Sequence, residues 1–132
     1  MDYRKEYEKW LASPALSEDE RAELRALEGN DKEIKARFYG PLEFGTAGLR
    51  GTMYTGLHNM NRHVIRWATQ GFANVIRAEG TEAMQKGIAV CMDCRNHSAE
   101  FARETACVMA ANGIHVRLFE SLRPTPELSF AV

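Results

Sequence analysis

The chain has 132 residues, 45% of them hydrophobic and 27% charged, with a net charge of −1. That length suits one domain with a core that needs no disulfide staples, and the near-neutral balance argues against a nucleic-acid or membrane-surface binder. Six methionines and three cysteines without obvious pairing, no apolar run of transmembrane length and a charged start unlike a signal peptide together lead us to expect a cytoplasmic protein.

Residues 1–40 hold 8 of the 17 basic and 10 of the 18 acidic residues. They read as two or three short charged helices forming an N-terminal extension with a solvated face. Ser17-Glu18-Asp19-Glu20 is a capping-box pattern, and Leu24 with Leu27 supplies a narrow apolar stripe. Asn30 or Asp31 is placed to cap a further turn before Pro41.

Composition changes at Pro41, where a glycine-rich segment begins, and we take 41–132 as the start of an α/β domain. A strand or extended turn is expected over 48–54, then a loop to Met60. Asn61 is expected to cap a helix over 62–78 with Val64, Ile65, Ala68, Phe72, Val75 and Ile76 on its buried face, ended by Gly80. The run Ile88-Ala89-Val90-Cys91-Met92 reads as a parallel strand covered on both faces. Ser98 is expected to cap the next helix, in which Phe101, Thr105, Val108 and Met109 share a side and Asn112-Gly113 closes. Residues 114–119 form a second strand, so strand, helix and strand make a crossover unit. A last helix opens at Pro124-Thr125-Pro126, with Thr125 as its cap and Pro126 as its first residue.

The chemistry concentrates in Phe44-Gly45-Thr46-Ala47-Gly48-Leu49-Arg50-Gly51. Three glycines at intervals of three leave backbone amides bare, and such amides can form a concave anion nest. Arg50 adds a planar, permanently charged fork. No Asp or Glu occurs from Thr46 through Ala78. The run lacks the Lys-Ser/Thr of a P-loop and the dinucleotide spacing. Its plain alternative is a glycine-rich turn; Thr46, Arg50 and the absent carboxylates favour an anion site.

In open α/β sheets ligands bind beyond the carboxyl ends of the strands. Those ends carry Asp93-Cys94-Arg95-Asn96-His97 and Ser121-Leu122-Arg123-Pro124-Thr125, which could converge with the glycine-rich run. Asp93 suits a loop anchor accepting backbone amides better than an acid–base carboxylate, and His97 suits a solvated ring better than a catalytic one. Cys91-x-x-Cys94 permits a redox or zinc reading. Inert, buried thiols are the expected state, with Cys107 facing the core or its edge. His58, His63 and His115 show no partner spacing, and Trp10 and Trp67 read as packing anchors.

These residues together resemble the N-terminal domain of the α-D-phosphohexomutases, the phosphoglucomutase/phosphomannomutase superfamily. The pieces that carry the resemblance are the 44–51 run, Thr69-Gln70-Gly71-Phe72, Asp93-Cys94-Arg95-Asn96-His97-Ser98 and Pro124-Thr125-Pro126-Glu127-Leu128-Ser129-Phe130. The charged extension is similar to the branch that includes phosphopentomutase-type enzymes. The resemblance implies a three-layer α/β/α fold holding part of a mixed sheet behind a helical extension.

It also implies an enzyme that interconverts hexose 1-phosphate and 6-phosphate through a phosphoserine and a bisphosphate intermediate. A Mg²⁺ ion held by three aspartates and glucose 1,6-bisphosphate as activator or intermediate belong to that picture. Arg50 would lie beside the phosphoserine, with Thr46 and Gly48 shaping the phosphate pocket and Arg95 supporting it. The family's Thr-Ala-Ser-His-Asn-Pro phosphoserine loop is not in these 132 residues, and neither are its metal ligands. The expectation is therefore an inactive N-terminal fragment with a phosphosugar ligand, which self-associates through an exposed sheet edge. The competing readings are a non-catalytic phosphate- or phosphosugar-binding module and a Cys-x-x-Cys redox or zinc protein.

Overall fold

The computed structural model describes residues 1–46 and 48–132; Ala47 lies outside the described residues. The chain divides into two compact units, Met1–Val64 and Ile65–Val132.

In the first unit, helix α1 (Tyr3–Leu11) starts at Asp2, whose side chain accepts from the Arg4 and Lys5 amides. Helix α2 (Glu18–Arg25) carries the full capping box: Ser17 N–H donates to Glu20 at 2.8 Å and Glu20 N–H to Ser17 Oγ at 3.3 Å. Helix α3 (Asp31–Phe38) is capped by Asn30, which accepts from the Glu33 amide at 3.2 Å. Each of these caps satisfies a helix-end amide that would otherwise lack a partner.

The three helices bury Leu16, Leu24, Leu27, Ile34 and Phe38, and Leu57 from beyond the helices joins the same cluster. Tyr7 and Trp10 meet the Phe38 ring edge-on at 5.7 Å each. Burial, then the nearby Glu28 charge, pushes the Tyr7 phenol above its usual range, and its hydroxyl donates to the Leu24 carbonyl at 2.9 Å. Strands β1 (Phe44–Gly45) and β2 (Gly48–Leu49) pair antiparallel, Phe44 with Leu49 and Gly45 with Gly48. The extended segment expected over 48–54 thus shortens to two paired residues followed by irregular chain. Helix α4 (Arg62–Glu79) begins in this unit, where Asn61 Oδ1 accepts from the His63 and Val64 amides.

In the second unit α4 lies against α6 (Ser98–Ala111) along a polar seam. Arg66 pairs with Glu104, Thr69 meets Thr105 at 3.4 Å, and the Gln70 and Asn112 amides exchange hydrogen bonds of 3.0 and 2.8 Å. The buried side of α4 is Val64, Thr69 and Ala73, while Phe72 and Val75 are more than half exposed. The expected apolar face thus holds at Val64 and at Ile76, which packs against Ala73, Met109 and Ile114, and is corrected at the bulky Phe72 and Val75, which point away while small Thr69 and Ala73 are buried. Trp67 is 58% exposed and is not a packing anchor, whereas Trp10 is.

A six-residue helix that periodicity did not reveal, α5 (Thr81–Lys86), follows Gly80 and carries a Glu82–Lys86 pair at 2.9 Å. Strands β3 (Ile88–Val90) and β4 (Val116–Leu118) run parallel with Ile88 opposite Val116. Both are shorter than expected, and β3 is only half-buried, since among the described residues no strand but β4 pairs with it. Gly87 (φ +72°) passes so close to the His115 carbonyl that no side chain fits.

Two caps move by one residue. His97, in the left-handed region at φ 63°, precedes α6, and Ser98 is its first helical residue. The Ser98 hydroxyl faces backwards, accepting from the Asp93 amide at 3.1 Å. Likewise Pro124 caps α7 (Thr125–Ala131) and Thr125 makes no capping bond. Proline's fixed φ and absent N–H suit either of the first two helical positions, which is why Pro126 does not mark the first.

The Arg50 hairpin as a candidate anion site

The β1–β2 hairpin brings three of the four expected site residues, Thr46, Gly48 and Arg50, together, with Gly45 beside them. Gly48 has φ +92°, open to glycine and costly for other residues. A Cβ on Gly45 would sit 3.2 Å from Arg50 Nη2 and 3.8 Å from Nε, so the guanidinium lies across the bare glycine. Thr46 is exposed at the turn. Arg50 is exposed and, among the described residues, makes no hydrogen bond or ion pair. An uncompensated guanidinium beside open backbone is disposed to take an oxyanion through two parallel N–H bonds.

Arg95 stands in the other unit and in a different electrostatic state. Its amide donates to Asp93 Oδ1 at 3.0 Å and its Nε to Oδ2 at 2.7 Å. The backbone bond from Arg95 is the largest effect on Asp93 and, with the Arg95 side chain and Ser98, holds its carboxyl below the usual range against the opposing effect of desolvation. Asp93 therefore anchors its loop, and Arg95 keeps a mostly exposed fork with its charge already answered. His97 Nδ1 lies 2.7 Å from Glu100 Oε2.

Among the described residues no group of three or more His, Cys, Asp or Glu is placed to hold a metal ion. Cys94 and Cys107 are exposed and Cys91 half-buried, which corrects the expectation of buried thiols. The strand ends at Val90, so Cys94 rides an open loop, and Cys107 takes the outer side of α6.

Several contacts that spacing could not foretell fix the chain around the hairpin. Glu23 accepts from the Thr55 amide at 3.1 Å and from its hydroxyl, and pairs with Arg37. Arg37, 8% exposed, also bonds Glu33 at 2.9 Å and lies over the Tyr54 ring at 4.4 Å. His58 Nδ1 faces the Gly40 and Pro41 carbonyls at 3.2 and 3.1 Å, so that nitrogen carries the proton and Nε2 accepts from the Tyr39 hydroxyl. His63 bonds Glu20 at 3.1 Å and meets Trp10 edge-on.

Residues 41–132 match the family model described as phosphoglucomutase/phosphomannomutase, alpha/beta/alpha domain I. A phosphopentomutase of Homo sapiens is 40% identical over 111 residues, which is 80% of this chain and 18% of that protein. A phosphoglucomutase of Staphylococcus saprophyticus is 36% identical over 77% of this chain and 18% of its own. A phosphomannomutase of Mycoplasma pneumoniae is 31% identical over 92% and 22%. The chain spans about a fifth of the length of these curated relatives. No solved structure matches significantly.

Proposed function

Because the chain belongs to the phosphoglucomutase/phosphomannomutase family and carries its α/β/α domain I, we propose that the Arg50 hairpin grips the phosphoryl group that a phosphosugar mutase transfers. The reaction is the interconversion of hexose 1-phosphate and 6-phosphate through a phosphoserine and a bisphosphate intermediate. The observation that carries the reading is the exposed Arg50 guanidinium, without a partner among the described residues and laid across Gly45.

In phosphoryl transfer most of the catalysis lies in positioning and in offsetting charge on the equatorial oxygens. Arg50 does the second, donating two N–H groups to one phosphoryl face without first breaking an ion pair. Glycines 45 and 48 let the phosphate come close to the backbone, and Thr46 adds a hydroxyl donor at the turn.

The Mg²⁺ and glucose 1,6-bisphosphate that the resemblance implies are proposed for a full-length mutase, the ion being held by carboxylates that the hairpin does not supply. The 132 residues alone bind phosphosugar and do not turn it over. Support for this comes from the coverage, which is one domain of proteins about five times longer. The exposed Trp67, Phe72 and Val75 and the open strand edges promote self-association. No described helix is long and apolar enough to cross a membrane, and the proposed compartment is the cytoplasm. The test is a coupled assay for glucose 6-phosphate formed from glucose 1-phosphate. No turnover by the 132 residues is expected, together with saturable glucose 1-phosphate binding; turnover, or no binding, overturns the reading.

A further inference from the structure

The family match begins at residue 41, so helices α1 to α3 lie before it. They nevertheless hold the chain that leaves the Arg50 hairpin. Thr55 is 4% exposed, and its buried amide needs an acceptor. Glu23 of α2 supplies it from 32 residues away and takes the Thr55 hydroxyl as well. The Thr55 carbonyl accepts from Arg37 at 3.3 Å.

Pairing of Arg37 does not by itself explain Glu23. Glu33 already answers the Arg37 charge at 2.9 Å from one turn away, so the distinctive contact of Glu23 is with the loop. That loop is closed on itself. The Met60 amide donates to the Thr52 carbonyl at 2.9 Å, Asn59 Nδ2 to Thr52 Oγ1 at 2.9 Å, and Asn61 Nδ2 to the Tyr54 and Gly56 carbonyls at 3.0 and 2.8 Å. A Cβ on Gly56 would come 2.9 Å from the Arg37 Cβ, so the loop lies directly on α3. At its other end Gly51 is wedged between Leu42 and the Met60 amide, one residue from Arg50. The closed loop therefore connects Thr55 to Gly51, the residue next to Arg50.

We propose that Glu23 is a positioning residue for the anion grip: through Thr55 it fixes segment 51–61 against the N-terminal helices and so sets the bearing of Arg50 and the strength of phosphate binding. This rests on the phosphate-gripping role of Arg50. The N-terminal helices become part of the site's construction without touching its ligand.

The test uses the 132-residue chain, amide hydrogen exchange and titration with inorganic phosphate. Glu23→Ala should speed exchange at Thr55 and Met60 about tenfold relative to the core amides of α3 and weaken phosphate binding about tenfold. Glu33→Ala, which removes the other partner of Arg37, should leave Thr55 exchange and phosphate affinity unchanged. Thr55→Val deletes the hydroxyl without touching the helices and keeps the test open if Glu23→Ala folds poorly; it should weaken phosphate in the same direction. Unchanged exchange at Thr55 and Met60, unchanged affinity in Glu23→Ala and Thr55→Val, or an equal effect of Glu33→Ala would overturn the proposal. Phosphate binding that is lost in Arg50→Ala but intact in Glu23→Ala contradicts this proposal alone. No phosphate binding by the unaltered chain contradicts the Arg50 reading and this one with it.

Discussion

The Arg50 guanidinium lies over Gly45, with Nη2 only 3.2 Å from where a Cβ on that glycine would stand. The contact gives Gly45 a function that its own exposed position conceals, because the glycine is the floor on which the arginine rests. Gly45→Ala should lift the guanidinium by a few tenths of an ångström and weaken phosphate binding severalfold while leaving stability within about 0.5 kcal/mol, as at most surface sites. Isothermal titration with phosphate and a urea melt check the two halves of that statement. A large stability loss, or full affinity, contradicts it.

Glu20 makes the first unit acid-sensitive. Its burial raises the carboxyl, but bonds from the Ser17 amide, His63 and Arg62 outweigh that and hold it at about 2, against 4.5 for an unperturbed group. A lowered folded-state value means stability fully present above 4.5 and lost as pH falls towards 2. The contribution is at most about 3 kcal/mol. Glu20→Gln should lower the urea midpoint near neutral pH, and the gap from the parent protein should close as pH drops below the unfolded value. A gap independent of pH contradicts the assignment.

Gly87→Ala tests the entry to β3. The added methyl would fall 1.9 Å from the His115 carbonyl oxygen, on a backbone with φ +72°. The chain must move, and with it the Ile88 N–H to His115 O bond of 2.9 Å that starts the parallel pair. A loss of about 3 kcal/mol or more is expected, typical of steric insertion at a special backbone conformation. Circular dichroism melts read it, and a melting point unchanged from the parent contradicts it.

The outer side of α4 predicts association. Trp67 and Val75 are each 58% exposed and Phe72 is 54% exposed, two helical turns of bulky apolar surface. Sedimentation velocity should show a concentration-dependent rise in mass that Trp67→Glu reduces. A monomer at every concentration removes self-association from the account.

What the sequence disclosed was local. The Ser17–Glu20 capping box and the Asn61 cap use contacts within three residues, and both stand where spacing placed them. The glycine-rich run declared its conformational needs through composition, and Gly48 has the positive φ that glycine permits. The misjudged features depend on partners far away in sequence. The α4 face departs from expectation at Phe72 and Val75, which are exposed while the small Thr69 and Ala73 are buried, a preference that hydrophobicity counts miss. The Glu23–Thr55 contact left no trace, since one more carboxylate on a charged helix looks solvated until a loop 32 residues later closes on it. Helix α5 carries no legible apolar period because its six residues between two glycines hold only Ala83 and Met84 as apolar positions, side by side.

The central claim is that Arg50 grips a phosphoryl group, and titration of the 132-residue chain with inorganic phosphate, followed by the Arg50 Nε–H signal in NMR, tests it most directly. The account predicts a saturable shift of that signal and, in Arg50→Ala, an affinity weaker by at least about tenfold, as expected for a charge-assisted bond of roughly 1.5–3 kcal/mol. An Arg50 signal that does not move, or equal affinity in the two proteins, would contradict it.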